Sequence, residues 1–326
     1  MSALVPAQNA ETKAAMTTIL LTIRMLLVFI PWLLQLLLAD LALSALLPVT
    51  TVQPSLTYHL ASVIAESIWA GIQYICVDYN DARIVLSGDA LPHGESAIVV
   101  SNHIEWCDFY MIQALAQRSG MLGHCRWFAK QQLKWVPFLG WGLWAMGMPL
   151  VSRNWTEDKR EMDRVFHGVT VQKWPVWLIS FSEATRFTAQ KYDEAVAWCT
   201  ANNKTVPKHT LHPRVKGFVA TVKNLRKAPH VKAVYDVTIA YSHGKQFMSP
   251  PSFFDTIYRP HLHKSWRMYA RVNRYELASL PESDQELANW LEARWVEKGR
   301  KLALLENRLR KGEQWEDQSV TDMKIS

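Results

Sequence analysis

The run Ala97-Ile98-Val99-Val100-Ser101, which continues as Asn102-His103-Ile104-Glu105-Trp106-Cys107-Asp108 and opens an apolar stretch reaching Gln117, decides the fold reading. A short apolar block rich in β-branched residues is the pattern of a buried strand, and the stretch that follows has helical length. Further β-rich runs occupy 83–87, 175–181, 231–241 and 267–272, and a second helical stretch covers 158–169. Strands alternating with helices imply an α/β fold, a mixed sheet flanked by helices. Ser283-Asp284-Gln285-Glu286 has the form of a capping box and opens a final amphipathic helix with Leu287, Trp290, Leu291 and Trp295 on one stripe.

The turn after the first of these strands carries candidate chemistry. On a continuous helix, residues five apart lie about 140° apart, so His103 and Asp108 meet only if the histidine sits in the turn and the aspartate in the first helical turn. There the carboxylate would hold one imidazole nitrogen and leave the other free as a general base. A histidine five residues before an aspartate is, taken alone, an incidental spacing. The weight comes from Phe181-Ser182-Glu183-Ala184-Thr185-Arg186, which follows the apolar strand Val176-Trp177-Leu178-Ile179-Ser180. Arg186 offers a planar fork for phosphate, and Glu183 either fixes that fork or shapes the turn. A base, its orienting carboxylate and an anion-binding group suit acyl transfer onto a hydroxyl beside a phosphate.

Composition places this chemistry at a membrane. Of 326 residues, 49% are hydrophobic and 20% charged, which excludes extensive disorder, and there are 15 Trp, a residue that favours places with one apolar and one wet side. The 14–47 run is almost wholly apolar and, at about 1.5 Å per residue, exceeds the roughly 20 residues that one bilayer crossing needs. Pro31 lies in its middle and is expected to kink it. A second apolar segment, 58–77, suits a partner helix. The domain reading is a flexible N-terminus over 1–13, membrane-embedded helices over 14–80, and an α/β domain with a C-terminal amphipathic helix over 81–326.

The net charge of +7 is concentrated. Between Glu194 and Asp236 the charged residues are all basic, Lys204, Lys208, Arg214, Lys216, Lys223 and Lys232 among them. Such a stretch attracts anionic headgroups or phosphorylated ligands, and no nucleic-acid module accompanies it. The four cysteines are far apart, without a Cys-x-x-Cys pair, so neither a disulfide framework nor a metal site is expected.

With these residues in view, the chain resembles the 1-acylglycerol-3-phosphate acyltransferase family, most of all its lysophosphatidic acid and lysocardiolipin acyltransferase branch. His103 and Asp108 match the family's catalytic pair, and Asn102 the residue before it. Leu150-Val151-Ser152-Arg153-Asn154-Trp155, with Asp158, resembles a second block whose arginine binds the acceptor. Glu183, Thr185 and Arg186 match a third. Phe187-Thr188, Leu211-x-Pro213-Arg214-x-Lys216-Gly217-Phe218, and Lys130 with Pro137 and Gly140 also follow the pattern. The sequence departs from it at Ser182 and Ala184, where the family has Pro and Gly, and at Val234-Tyr235-Asp236-Val237-Thr238. Alanine at 184 requires a backbone with negative φ, or strain.

The resemblance implies a membrane-bound enzyme of the endoplasmic reticulum that moves an acyl group from acyl-CoA to the sn-2 hydroxyl of a lysophospholipid. Lysophosphatidic acid is the expected acceptor, with lysophosphatidylinositol and lysocardiolipin as alternatives. His103 and Asp108 would be catalytic, and Asn102, Lys130, Arg153, Glu183, Thr185, Arg186 and Lys216 would contact substrate. Acyl-CoA serves as co-substrate, with no cofactor, metal or nucleic acid. A hydrolase lacks its Gly-x-Ser-x-Gly elbow here. A non-catalytic lipid-binding protein draws its support from Ala184.

Overall fold

The computed structural model describes residues 4–136, 139–152 and 155–315. It opens with helix α1 (Leu4–Ala45), a single helical turn α2 (Leu47–Thr50) and helix α3 (Pro54–Gln73), whose last turn widens into a π-helical turn at Tyr74–Tyr79. α1 starts at Leu4, inside the segment expected to be loose, and continues through Pro31 as one helix. α1 and α3 are long and apolar enough to cross a membrane.

The two helices run antiparallel: Trp32 Nε1 donates to the Ile68 carbonyl at 3.1 Å and Gln35 Nε2 to that of Ser67 at 3.4 Å. They are not a free-standing hairpin. Arg24 reaches Asn80 Oδ1 and the Tyr79 carbonyl, and Phe29 meets Phe253. Leu43 is buried. The α/β body therefore flanks α1 from residue 29 to residue 43, about 21 Å at 1.5 Å per residue. The opposite stripe, including Ile23, Leu27, Ile30, Leu34, Leu37 and Leu41, is exposed.

The body comprises β1 (Ile84–Gly88), β2 (Ser96–Ser101), α4 (Asp108–Arg118), β3 (Cys125–Trp127), β4 (Ala129–Lys130), α5 (Leu139–Ala145), β5 (Leu150–Val151) and α6 (Trp155–Thr170). It continues with β6 (Trp177–Phe181), α7 (Ala189–Ala201), α8 (Val215–Leu225), β7 (Val231–His243), β8 (Gln246–Phe247), α9 (Phe253–Tyr258), β9 (Trp266–Glu276) and α10 (Asp284–Lys311). The main sheet has the order β1-β9-β7-β2-β6-β3, with β8 hydrogen-bonded to β7. β2 is parallel to β6 and β7, β3 to β6 and β1 to β9, while β7 and β9 are antiparallel. The sheet is thus mixed and flanked by helices, as the alternation of strands and helices implies.

Burial alternates along the central strands. Ala97 and Val99 of β2, with Trp177 and Ile179 of β6, join the core under α3 and α4. Ile98, Val100 and Leu178 face the second core, under α6, α8 and α10. Both faces of β2 and β6 are covered, which is why their sequences read as unbroken apolar runs. At the start of α10, Ser283 Oγ accepts from the Glu286 amide at 3.2 Å, and the Glu286 carboxylate turns back to that hydroxyl rather than to the Ser283 amide.

Candidate active site

The site forms where β2 ends. His103 lies in the turn, and Asp108 begins α4. The turn brings them together: His103 Nδ1 is 2.8 Å from Asp108 Oδ2, with the carboxylate fully buried. The same oxygen accepts the amides of Ile104 at 2.5 Å and Glu105 at 3.0 Å. Tyr241 Oη donates to the other oxygen, Oδ1, at 2.8 Å. Asp108 thus meets four donors, so its charge is well stabilised and its orientation fixed. With Nδ1–H committed to the carboxylate, Nε2 is the imidazole nitrogen left to take a proton.

Aromatic packing holds the ring. His103 stacks on Phe181, ring centroids 4.0 Å apart and planes 11° apart. Phe109 lies edge-on to both rings. Because β2 and β6 are parallel neighbours, with Ser101 opposite Phe181, both motifs arrive at one end of the sheet. The Phe187 amide then donates to the His103 carbonyl at 2.8 Å and ties the two motifs together.

Asn102 braces this turn. Its side-chain amide donates to the Ile239 carbonyl at 3.0 Å and accepts from the Ile239 amide at 2.9 Å. It extends the β2–β7 pairing beyond the last strand residue and is itself buried.

The third motif divides in two. Arg186 lies outward, 2.6 Å from Glu105 Oε1, so Glu105 of the first motif, not Glu183, is its carboxylate partner. Thr185 Oγ1 accepts from Lys191 Nζ at 2.5 Å. Glu183 turns inward, buried, and accepts from Trp295 Nε1 of α10 at 3.2 Å, while its Oε2 has no hydrogen-bond partner among the described residues. Burial pushes its carboxyl up to about 8, against the opposing pull of the Trp295 hydrogen bond and of Lys298. Ala184 between them has φ +58°, in the left-handed region. Strain is therefore the outcome of the glycine-to-alanine departure, since an L-residue with a Cβ is disfavoured there.

Behind this turn lies a buried ion pair that sequence patterns did not single out. Lys298 Nζ of α10 contacts Asp236 Oδ1 at 2.6 Å, the Val237 carbonyl at 2.6 Å and Thr238 Oγ1 at 3.2 Å. Desolvation pulls the Lys298 amine down, and Asp236 opposes that pull. The departure at 234–238 is thus matched by a residue on a different element.

The remaining candidates stand further out. Lys130 is exposed on β4, which pairs with β5 in the register Lys130 opposite Val151. Asp158 Oδ1 accepts from the Ser152 amide at 2.6 Å and its hydroxyl at 2.8 Å, which orders the chain just past β5. Arg153, like Pro137, lies outside the described residues. Lys216 is exposed in the first turn of α8 and lines an open groove of about 530 Å³ with Lys223 and Lys227. A second groove of about 540 Å³ runs between 203–213 and α10. Neither is lined by His103, Asp108 or Arg186, and both belong to the α8–α10 layer.

Tyr241 and Glu105 were missed by the sequence reading. Glu105 is a charged residue inside the motif and was available as a signal. Tyr241 reaches Asp108 only because β7 lies beside β2, which no local pattern reveals.

Comparison with known proteins gives the family. The acyltransferase family model matches residues 83–242, and the model for the acyltransferase C-terminus matches 262–310. The chain belongs to the acyltransferase family. Among its relatives, 1-acyl-sn-glycerol-3-phosphate acyltransferase 2 of Brassica oleracea is 31% identical over 240 residues, 72% of this chain and 59% of the relative. The human 1-acyl-sn-glycerol-3-phosphate acyltransferase delta is 30% identical over 245 residues, 74% of this chain and 61% of the relative. This chain thus spans about three fifths of the length of the curated relatives it matches. A solved structure, the 1-acyl-sn-glycerophosphate acyltransferase PlsC of Thermotoga maritima, superposes with a TM-score of 0.44 at 13% identity, covering 82% of this chain and 95% of that one.

Proposed function

We propose that the protein transfers a fatty acyl group from acyl-CoA to the sn-2 hydroxyl of lysophosphatidic acid at a membrane, that of the endoplasmic reticulum where one is present. The observation that carries the reading is the His103–Asp108 contact of 2.8 Å, with the carboxylate held by two backbone amides and a tyrosine. Nε2 of His103 removes the proton of the acceptor hydroxyl as that oxygen attacks the thioester carbonyl. The tetrahedral intermediate collapses by expelling the CoA thiolate, which takes up the proton from the imidazolium. Asp108 stabilises the imidazolium between these two proton transfers. No protein nucleophile is required, since the acceptor hydroxyl attacks directly.

Arg186 is the natural phosphate ligand of this arrangement, and Lys130 and Arg153 are the further basic candidates that the resemblance supplies. A phosphate arriving at Arg186 competes with Glu105, whose carboxylate already holds the guanidinium. That competition keeps the alternative open within the same chemistry: a singly charged phosphodiester, as in lysophosphatidylinositol or lysocardiolipin, meets less repulsion from Glu105 than a phosphomonoester.

The test uses purified full-length protein with labelled oleoyl-CoA and a panel of lysolipids. Label entering lysophosphatidic acid with a clear kcat/KM preference supports the reading. Exclusive use of a phosphodiester lysolipid replaces it with the remodelling alternative. Oleate release without any acceptor refutes acyl transfer.

A further inference from the structure

Beyond α1 and α3, exposed bulky apolar side chains of the α/β body include the scattered Trp106, Val171, Trp198, Phe254 and Leu304, and a denser group around Trp135. Trp135 at the end of the 3-10 turn Gln131–Trp135 is 77% exposed, and Val136, Trp141 and Trp144 are exposed beside it. Trp135 is the most exposed of the large aromatic residues described, ahead of Phe254 at 57%. The patch adjoins α1. α5 sits against α1 so closely that a Cβ at Gly142 would come within 3.1 Å of Asp40 Oδ1 and 3.2 Å of Leu43. Leu38 and Leu41, neighbours of Asp40 in sequence on α1, are exposed.

Basic side chains border the tryptophans. Lys134 Nζ lies 4.9 Å from the Trp135 ring centroid, and the Arg164 guanidinium 4.9 Å from that of Trp144. Lys130 stands exposed one turn earlier. Tryptophan with adjoining lysine and arginine, placed beside an apolar helix, is the composition of a bilayer's headgroup layer rather than of a protein–protein core, which is depleted in lysine.

From this we propose that residues 131–136 and 139–145 present a second membrane-docking surface, separate from the N-terminal helices, which seats Trp135, Trp141 and Trp144 among phospholipid headgroups. The segment is suited to the task because both its ends are fixed. β4 and β5 pair across its base, Phe128 N donates to the Ile179 carbonyl at 3.1 Å, and Arg164 donates to the Met148 carbonyl at 3.0 Å. Arg126, buried, grips the Met146 carbonyl. The excursion is therefore pinned to β6, the strand that ends in Phe181 and leads to Arg186. Docking would set the height of Lys130 and Arg186 relative to the headgroup plane. That consequence rests on the proposed function; the docking itself does not.

The test exploits the cysteines, all four of which are buried and unpaired. Full-length Trp135→Cys and Trp141→Cys proteins, carrying an environment-sensitive fluorophore, are placed in nanodiscs of phosphatidylcholine and phosphatidylglycerol. A label at Leu304→Cys, exposed on α10, serves as the aqueous reference. Matching circular dichroism and thermal melts exclude misfolding. The proposal expects quenching at 135 and 141 by nitroxides attached near the lipid headgroup and protection from iodide, with the reverse at 304. Iodide quenching at 135 and 141 equal to that at 304 overturns it. So does an apolar label environment that appears in lipid-free detergent only as protein concentration rises, the mark of a second copy of the chain. A Trp135→Ser/Trp141→Ser double variant should show a severalfold higher KM for acceptor presented in vesicles and an unchanged kcat for acceptor in detergent.

Discussion

Asp108→Asn perturbs the site at its most constrained atom pair. Asp108 Oδ2 receives three donors, from His103 and the amides of Ile104 and Glu105, whereas Oδ1 receives one hydroxyl from Tyr241. An asparagine can satisfy the three donors only with its carbonyl oxygen at the Oδ2 position. Its NH2 group then faces Tyr241, whose hydroxyl can rotate to accept. The imidazole keeps its tautomer and position, and what is lost is the negative charge beside the imidazolium formed during reaction. Two unit charges about 4 Å apart, at an effective dielectric of about 20, interact with about 4 kcal/mol. At 1.36 kcal/mol per decade that is roughly a thousandfold in kcat, less than the roughly 10⁴-fold loss seen where the tautomer is also inverted. The assay is labelled oleate transfer to lysophosphatidic acid, with thermal melts confirming the fold. A variant within tenfold of wild type would refute the charge-stabilised base.

Three further predictions follow from residues around the turn. Ala184→Gly relieves a left-handed backbone at φ +58°, and should raise stability by about 1 kcal/mol, read as an upward shift of about 2 °C in thermal midpoint; an unchanged or lowered midpoint contradicts the strain. Lys298→Met leaves Asp236 buried without its counter-ion and should cost about 3–5 kcal/mol, much of it recovered in Lys298→Met/Asp236→Leu; equal instability of the single and double variants contradicts the pairing. Glu183, raised from 4.5 to about 8 in the folded chain, binds its proton more tightly there than when unfolded, so its ionisation should erode stability as pH rises from about 4.5 to 8. Denaturation midpoints across that range should decline less for Glu183→Gln than for wild type, and parallel declines would sink the assignment.

What was legible in the sequence is what a buried strand and a local motif record. β2 and β6 are covered on both faces, so their apolar runs announced them, and the strand-to-helix turn followed from the need of His103 and Asp108 to meet. The short strands β3, β4, β5 and β8 have two or three residues each and leave no periodic trace. Contacts set by topology were equally silent. Tyr241 lies far along the chain from Asp108, and Lys298 answers Asp236 from another element. The pairing of Arg186 with Glu105 rather than Glu183 depended on which way the 182–186 turn points. That direction is fixed by the left-handed Ala184, which turns Glu183 in toward Trp295 while Arg186 stays at the surface.

The most direct measurement of the central claim is the transfer of labelled oleate from acyl-CoA to lysophosphatidic acid by purified His103→Ala protein, with its melt and circular dichroism matched to wild type. An imidazole acting as general base is worth roughly 10²–10⁴-fold, so transfer should fall by at least a hundredfold while acceptor binding persists. Transfer at the wild-type rate by a folded His103→Ala protein would show that the proton leaves the hydroxyl by another route.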